Sequence, residues 1–139
     1  MQKTVLLHPF DFSLYDTMKK EDVTTPQLVE TIVEGIRNKK GQHIVALDLR
    51  TIPEAPVEFM VIAEGGSTTQ VNAITDEIDD YVRTQTHIHP FATDGKDNAE
   101  WVAMDYGTVF VHIMLRHMRE YYDIENLWND GTTIEYAAD

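Results

Sequence analysis

Several groups of residues in this chain carry side chains that could do chemistry. Gly65-Gly66-Ser67 follows an apolar run and opens a helical pattern. Small residues there expose backbone amides at the positive end of a helix, which could cradle a phosphate. Nucleotidyl transfer at that loop would also need carboxylates converging on magnesium, spaced by two along a strand so that both face one side. The nearest carboxylates, Asp76, Glu77, Asp79 and Asp80, fall instead on the following helix and point in different directions. A plain tight turn is the simpler reading of the loop. His87 and His89 on one strand face, joined by His112, would give an imidazole set suited to zinc. No H-E-x-x-H pattern accompanies them, and strand histidines are commonly surface or interface residues. Ser67 follows two glycines, but no G-x-S-x-G nucleophile elbow is present.

Trp101, Asp105 and Tyr106 with His112 form the more informative cluster. The alternation Trp101, Ala103, Asp105 places an aromatic and a carboxylate on one strand face, a combination suited to an interface anchor. The alternative is that Trp101 packs under the terminal helix while Asp105 initiates a turn. Arg119, Tyr122, Leu127 and Trp128 read either as a packed helical lid or as partner contacts.

These residues must be positioned by an ordered series of elements. Residues 1–23 show no sustained period, mixing Pro9, Phe10, Phe12 and Tyr15 with the Lys19, Lys20, Glu21, Asp22 cluster. An irregular extension is expected there. Thr24, Thr25 and Pro26 then signal a helix start, and Leu28, Val29, Ile32, Val33 and Ile36 form an apolar stripe running to about Lys40, with Gly41 as the stop. Residues 43–49 and 57–63 read as strands separated by a proline-containing loop. Val71, Ile74, Ile78 and Val82 define a second helix after Ser67, with its acidic residues turned to water. A short strand at residues 88–91, a polar loop at 92–98, and strands 101–105 and 109–114 joined at Gly107 as a hairpin follow. A short helix at residues 116–122 and the stripe Ile124, Leu127, Trp128 end the pattern, and the tail after Gly131 carries little signal. The order implies an α/β domain with a small mixed β-sheet flanked by helices.

Composition excludes several classes. The 139 residues include 42% hydrophobic ones, enough for one core, with an expected extension at 1–23, domain at 24–130 and tail at 131–139. Eleven basic against 24 acidic side chains leave a net charge of −13, with −3 in residues 1–70 and −10 in residues 71–139. Such an excess repels a phosphate backbone, so direct sequence-specific nucleic acid binding is not expected and a basic partner is. The same charge also serves simply as a solvating surface. The absence of cysteine removes disulfides, thiolate metal sites and cysteine nucleophiles, which fits a cytoplasmic protein. The start MQKTVLLHPFDF lacks the roughly 7 to 15 residue apolar core of a secretory signal, and no run is long enough to span a membrane.

Four blocks carry a resemblance. They are residues 41–49 (GQHIVALDL); Phe59 to Ala63 with Gly65, Ser67, Gln70, Val71 and Ile74; Asp94-Gly95, Asn98, Glu100-Trp101-Val102, Asp105, Gly107, Val109 and Val111-His112; and Arg119, Tyr122, Ile124-Glu125 and Leu127-Trp128. In this order and spacing, spanning roughly Leu28 to Asp130, the chain resembles the ribosomal silencing factor RsfS family, also called Iojap-related proteins. Asp94, Gly66 and Thr108 depart from that pattern, where glutamate, threonine or asparagine, and aspartate are common.

The resemblance implies a nucleotidyltransferase-like fold without a transferase active site, without cofactor or metal, and a binding function. Such a factor docks on the large ribosomal subunit through universal large-subunit protein fourteen and sterically blocks subunit joining, so translation is repressed. On this likeness Trp101 is the expected desolvated anchor and Asp105 the acceptor for a basic group, with His112, Met60 and Tyr106 around them. Arg119, Tyr122 and Trp128 are expected either to contact the partner or to hold the terminal helix. A homodimer through the same sheet face would compete with ribosome binding. The rival from a different class is a magnesium-dependent nucleotidyltransferase using Gly65-Gly66-Ser67.

Overall fold

The computed structural model describes residues 20–137, so Phe10, Phe12 and Tyr15 of the extension lie outside the described residues. A single 3-10 turn at Lys20–Asp22 leads into helix α1 (Thr25–Asn38). Thr24 caps α1 reciprocally: its hydroxyl accepts the Gln27 N–H at 3.2 Å, and the Gln27 side chain accepts the Thr24 N–H at 2.9 Å. Leu28, Val29, Ile32, Val33 and Ile36 bury one face. The helix ends two residues earlier than the pattern suggests. Lys40, with φ 64°, takes the left-handed turn, while Gly41 serves close packing, since a Cβ there would lie 2.3 Å from Ile36 Cγ2.

Strands β1 (Gln42–Asp48) and β2 (Phe59–Gly65) pair antiparallel, and helix α2 (Thr68–Thr86) follows the turn at Gly66-Ser67. Val71, Ile74, Ile78 and Val82 pack inward from α2. Three of its four carboxylates have partners: Asp76 pairs with Lys96 and Asp80 with Arg83, while Glu77 accepts from Asn38 at 2.8 Å. The strand expected at residues 88–91 lies further on, as β3 (Ala92–Asp94). His87 instead caps α2 with φ 62°, the Ile88 N–H bonds the Thr86 hydroxyl, and Pro90 has no N–H to give a ladder. Strands β4 (Trp101–Asp105) and β5 (Val109–Leu115) form the hairpin around Gly107.

Helix α3 (Arg116–Tyr122) continues directly from β5, and one helical turn, α4 (Ile124–Leu127), follows. Strand β6 (Thr132–Tyr136) then pairs with β1, so the sheet extends beyond residue 130, where the sequence signal fades. Its apolar content is only Ile134 and Tyr136 on one face, too short a period-two pattern to stand out.

The six strands run in the order β3-β4-β5-β2-β1-β6, with only β2 and β5 parallel. Alternation divides the sheet into two faces. On one, Ile44, Ala46, Phe59, Val61, Ala63, Val102, Met104, Val111 and Ile113 pack against α1 and α2 in a continuous core. On the other, Leu47, Met60, Ile62 and Met114 form a smaller cluster under the 50–57 loop and α3–α4, and Trp101, Phe110, Met118, Ile124 and Trp128 pack at its margin. This second face carries the candidate site.

Candidate functional site

Trp101 and His112 occupy neighbouring strands on the second face, offset diagonally because Ala103 is the residue directly opposite His112. The indole Nε1–H of Trp101 donates to His112 Nδ1 at 3.0 Å. An indole nitrogen can only donate, so Nδ1 is the acceptor and the ring proton sits on Nε2. Burial lowers the His112 pKa from 6.5 to about 4, so the imidazole is neutral at physiological pH. The Tyr122 ring lies 4.9 Å from Trp101 at 47°, and Tyr121 meets Tyr122 edge-on at 4.9 Å. These two tyrosines are 47% and 79% exposed, so the half-buried tryptophan continues outward into an aromatic surface.

Asp105 lies on the same face, at the other end of β4, and one of its carboxylate oxygens accepts the Gly107 N–H at 2.7 Å. Its second oxygen is left for another donor, so turn formation and partner contact are compatible. Met60 is on this face as well, opposite Phe110 in the β2–β5 ladder, but only 5% exposed. It forms the floor beneath the surface. Tyr106 corrects the expectation placed on it: Val102, Met104 and Tyr106 alternate to the helix-covered side, where Tyr106 is buried. Its phenol pKa is raised by burial and by the nearby Asp79 carboxylate.

Arg119 is buried at a junction of elements. Its guanidinium donates to the His43 carbonyl at 2.7 Å and Glu64 at 3.1 Å, and twice to the Glu125 carboxylate at 3.0 and 2.9 Å. Trp128 ends α4 half-buried against the second-face cluster. Sequence reasoning missed Glu64, Glu125 and His43 as the partners of Arg119. A carboxylate closing the otherwise apolar run FMVIAEG was the available signal, because a charge that close to a core requires a counter-ion.

Next to this junction is a cavity of about 410 Å³ lined by Gln42, His43, Glu64, Gly65, Gly66, Leu115, Arg116 and His117. Its one carboxylate, Glu64, is engaged by Arg116, Arg119 and His43. The α2 carboxylates do not line it, so no pair of acidic groups converges there. At the loop, the Gly66 N–H bonds Gln70 Oε1, and the Ser67 hydroxyl accepts the Gln70 N–H as the cap of α2. The transferase alternative therefore lacks a converging carboxylate pair to clamp a metal at this loop. His87 belongs to the α2 cap and His112 to the second sheet face, so the imidazole set does not assemble. Among the described residues no group of three or more metal-ligating side chains comes together, and no helix is long and apolar enough to cross a membrane.

The architecture is a small α/β domain with one sealed sheet face and one partly open aromatic face. Comparison with known proteins then specifies its lineage. The profile described as "Ribosomal silencing factor during starvation" (RsfS) matches residues 22–139. The ribosomal silencing factor RsfS of Halalkalibacterium halodurans is 33% identical over 113 residues, covering 81% of this chain and 95% of that protein. A crystal structure of a protein from Chromobacterium violaceum superposes with a TM-score of 0.72 at 30% identity, covering 76% of this chain and 87% of that one. More distantly, the mouse protein "Mitochondrial assembly of ribosomal large subunit protein 1" is 27% identical over 103 residues, which span 72% of this chain and 44% of the mouse protein. The chain belongs to the RsfS family.

Proposed function

We propose that this protein is a ribosomal silencing factor that docks on the large ribosomal subunit through the Trp101 face, contacting universal large-subunit protein fourteen, and prevents the small subunit from joining. The observation that carries this reading is the open aromatic surface of Trp101, Tyr122 and Tyr121, backed by a neutral His112, on a sheet face that α1 and α2 do not cover. A large aromatic side chain that is half-buried before binding loses little rotamer freedom when a partner covers it. The net charge of −13, concentrated in the carboxyl-terminal half, complements a basic ribosomal protein and disfavours RNA away from the contact. Family membership and the large-subunit association in the mouse relative's name support the choice of subunit.

The fold is read as a nucleotidyltransferase-like scaffold used without catalysis, a view supported by the single, fully paired carboxylate of the Glu64 cavity. Asp105 is assigned the role of accepting a basic group. A homodimer through the same face would compete with the ribosome. The test is co-sedimentation of the protein with separated subunits, followed by addition of the missing one. Binding to the large subunit alone and loss of joined ribosomes is the expected result. A protein that stays at the top of the gradient at low salt would refute the proposal.

A further inference from the structure

We infer that Arg119 is a positioning residue for docking: it fixes the seat of α3 and thereby holds the Tyr121–Tyr122 pair against Trp101. Helix α3 has only seven residues, begins without a side-chain cap, and buries no side chain fully except Arg119. A helix this short is not stable on its own, and apolar burial does not explain its position beyond the partial packing of Met118. Arg119 supplies the buried constraint, beside the exposed Arg116 at the start of the helix, whose Nε also bonds Glu64 at 3.2 Å. One nitrogen, Nη1, reaches the β1 carbonyl of His43 and the β2 carboxylate of Glu64, while Nε and Nη2 grip Glu125 of α4 in a two-pronged pair. Four elements are thus tied at one planar group. Tyr122 follows three residues later, on the neighbouring turn, where its ring rests on Trp101. Loss of the junction would free α3 to rotate, separating Tyr122 from the indole while the α1–α2 core stayed closed. Lysine cannot replace the fork, because a single ammonium has no planar pair of donors to span these acceptors.

The binding half of this inference rests on the proposed docking role, so the test has two arms. In a Trp128→Phe background Trp101 is the remaining tryptophan, and its near-ultraviolet circular dichroism reports the Trp101–Tyr122 contact. Arg119→Lys should lose most of that band while α1 and α2 amides stay protected from hydrogen exchange. In the otherwise unaltered protein, Arg119→Lys and Tyr122→Ala should each weaken large-subunit binding about tenfold, with the double variant no weaker than either alone. A folded Arg119→Lys variant with the full Trp101 band and unchanged affinity would overturn the inference, as would fully additive effects. If Arg119→Lys does not fold, Glu125→Gln, which keeps the bonds to β1 and β2, should shift band and affinity in the same direction by less. Its unchanged behaviour would likewise overturn the inference. Should the unaltered protein ignore large subunits, the docking proposal fails, and the Trp101 band alone still decides what Arg119 does.

Discussion

The two faces of the sheet are built from the same strands but follow different physical rules. The face beneath α1 and α2 is almost wholly apolar, and Val61, Val111, Ile113, Ile74 and Ile78 are completely buried there. On the opposite face, covering stops partway across. Leu47, Ile62 and Met114 are sealed by the 50–57 loop and α3–α4, whereas Trp101, Ala103, Asp105, Phe110 and His112 remain half-buried. Dispersion and hydrophobic burial make the first face the source of stability, and their incompleteness makes the second available to a partner. Polar atoms mark the same division. The second face holds the Trp101–His112 hydrogen bond and the Asp105 turn carboxylate, groups that can meet a partner with defined geometry.

The sharpest way to break this comparison is to change one face and measure both stability and binding. On the helix-covered face, Ile74→Ala should cost about 3 kcal/mol of folding stability, because it leaves a cavity where collapse is difficult. Urea denaturation should show a lower midpoint at unchanged slope, and large-subunit affinity of the still-folded fraction should not move. Trp101→Ala should show the reverse balance, losing at least about 2 kcal/mol of binding as a central anchor, with a smaller loss of stability. Near-normal binding in a co-sedimentation titration would make Trp101 a packing residue and erase the distinction between the faces.

A pH experiment separates the faces next. The folded His112 pKa of about 4 lies below its ordinary 6.5, so between these values the unfolded chain binds more protons than the folded one. The stability from neutral His112 is therefore fully present above about pH 6.5 and is lost as pH falls toward 4. His112→Gln should flatten that part of the stability curve, measured by chemical denaturation from pH 7 to 4. An unchanged slope would mean that the imidazole is not the group responsible. The smallest effect is expected at Asp105→Asn, whose amide oxygen still accepts from Gly107 while the charge disappears. Binding should fall by less than about 1 kcal/mol and its salt dependence should decrease, as for a charge at an interface rim.

Much of this architecture was legible because local physics imposes it. The Thr24–Pro26 start, the 3.6-residue stripes of α1 and α2, the hairpin around Gly107 and the short helix from Arg116 each follow from a capping, periodic or turn signal within a few residues. The grouping of Trp101 with Asp105 was equally readable, since a strand has period two. That same alternation assigns Tyr106 to the other side, apart from Trp101 and Asp105. The strand begins only at Ala92, just after Phe91 gives its N–H to the Asp105 carbonyl at 2.7 Å, because Pro90 and the left-handed His87 keep Ile88 out of the ladder.

The sequence by itself therefore determined the type of most elements, the acidity, the absence of thiol chemistry and the family blocks, all properties of composition or short-range spacing. Tertiary structure alone decided that Thr132–Tyr136 completes the sheet, because an edge strand gains its hydrogen bonds from β1 and not from its own pattern. It alone brought Arg119 to His43, Glu64 and Glu125, across separations of 76, 55 and 6 residues. It also placed Tyr122 on Trp101 and tuned His112 to neutrality. Those contacts depend on where distant strands and helices meet, and burial acts on a side chain only after the chain has closed around it.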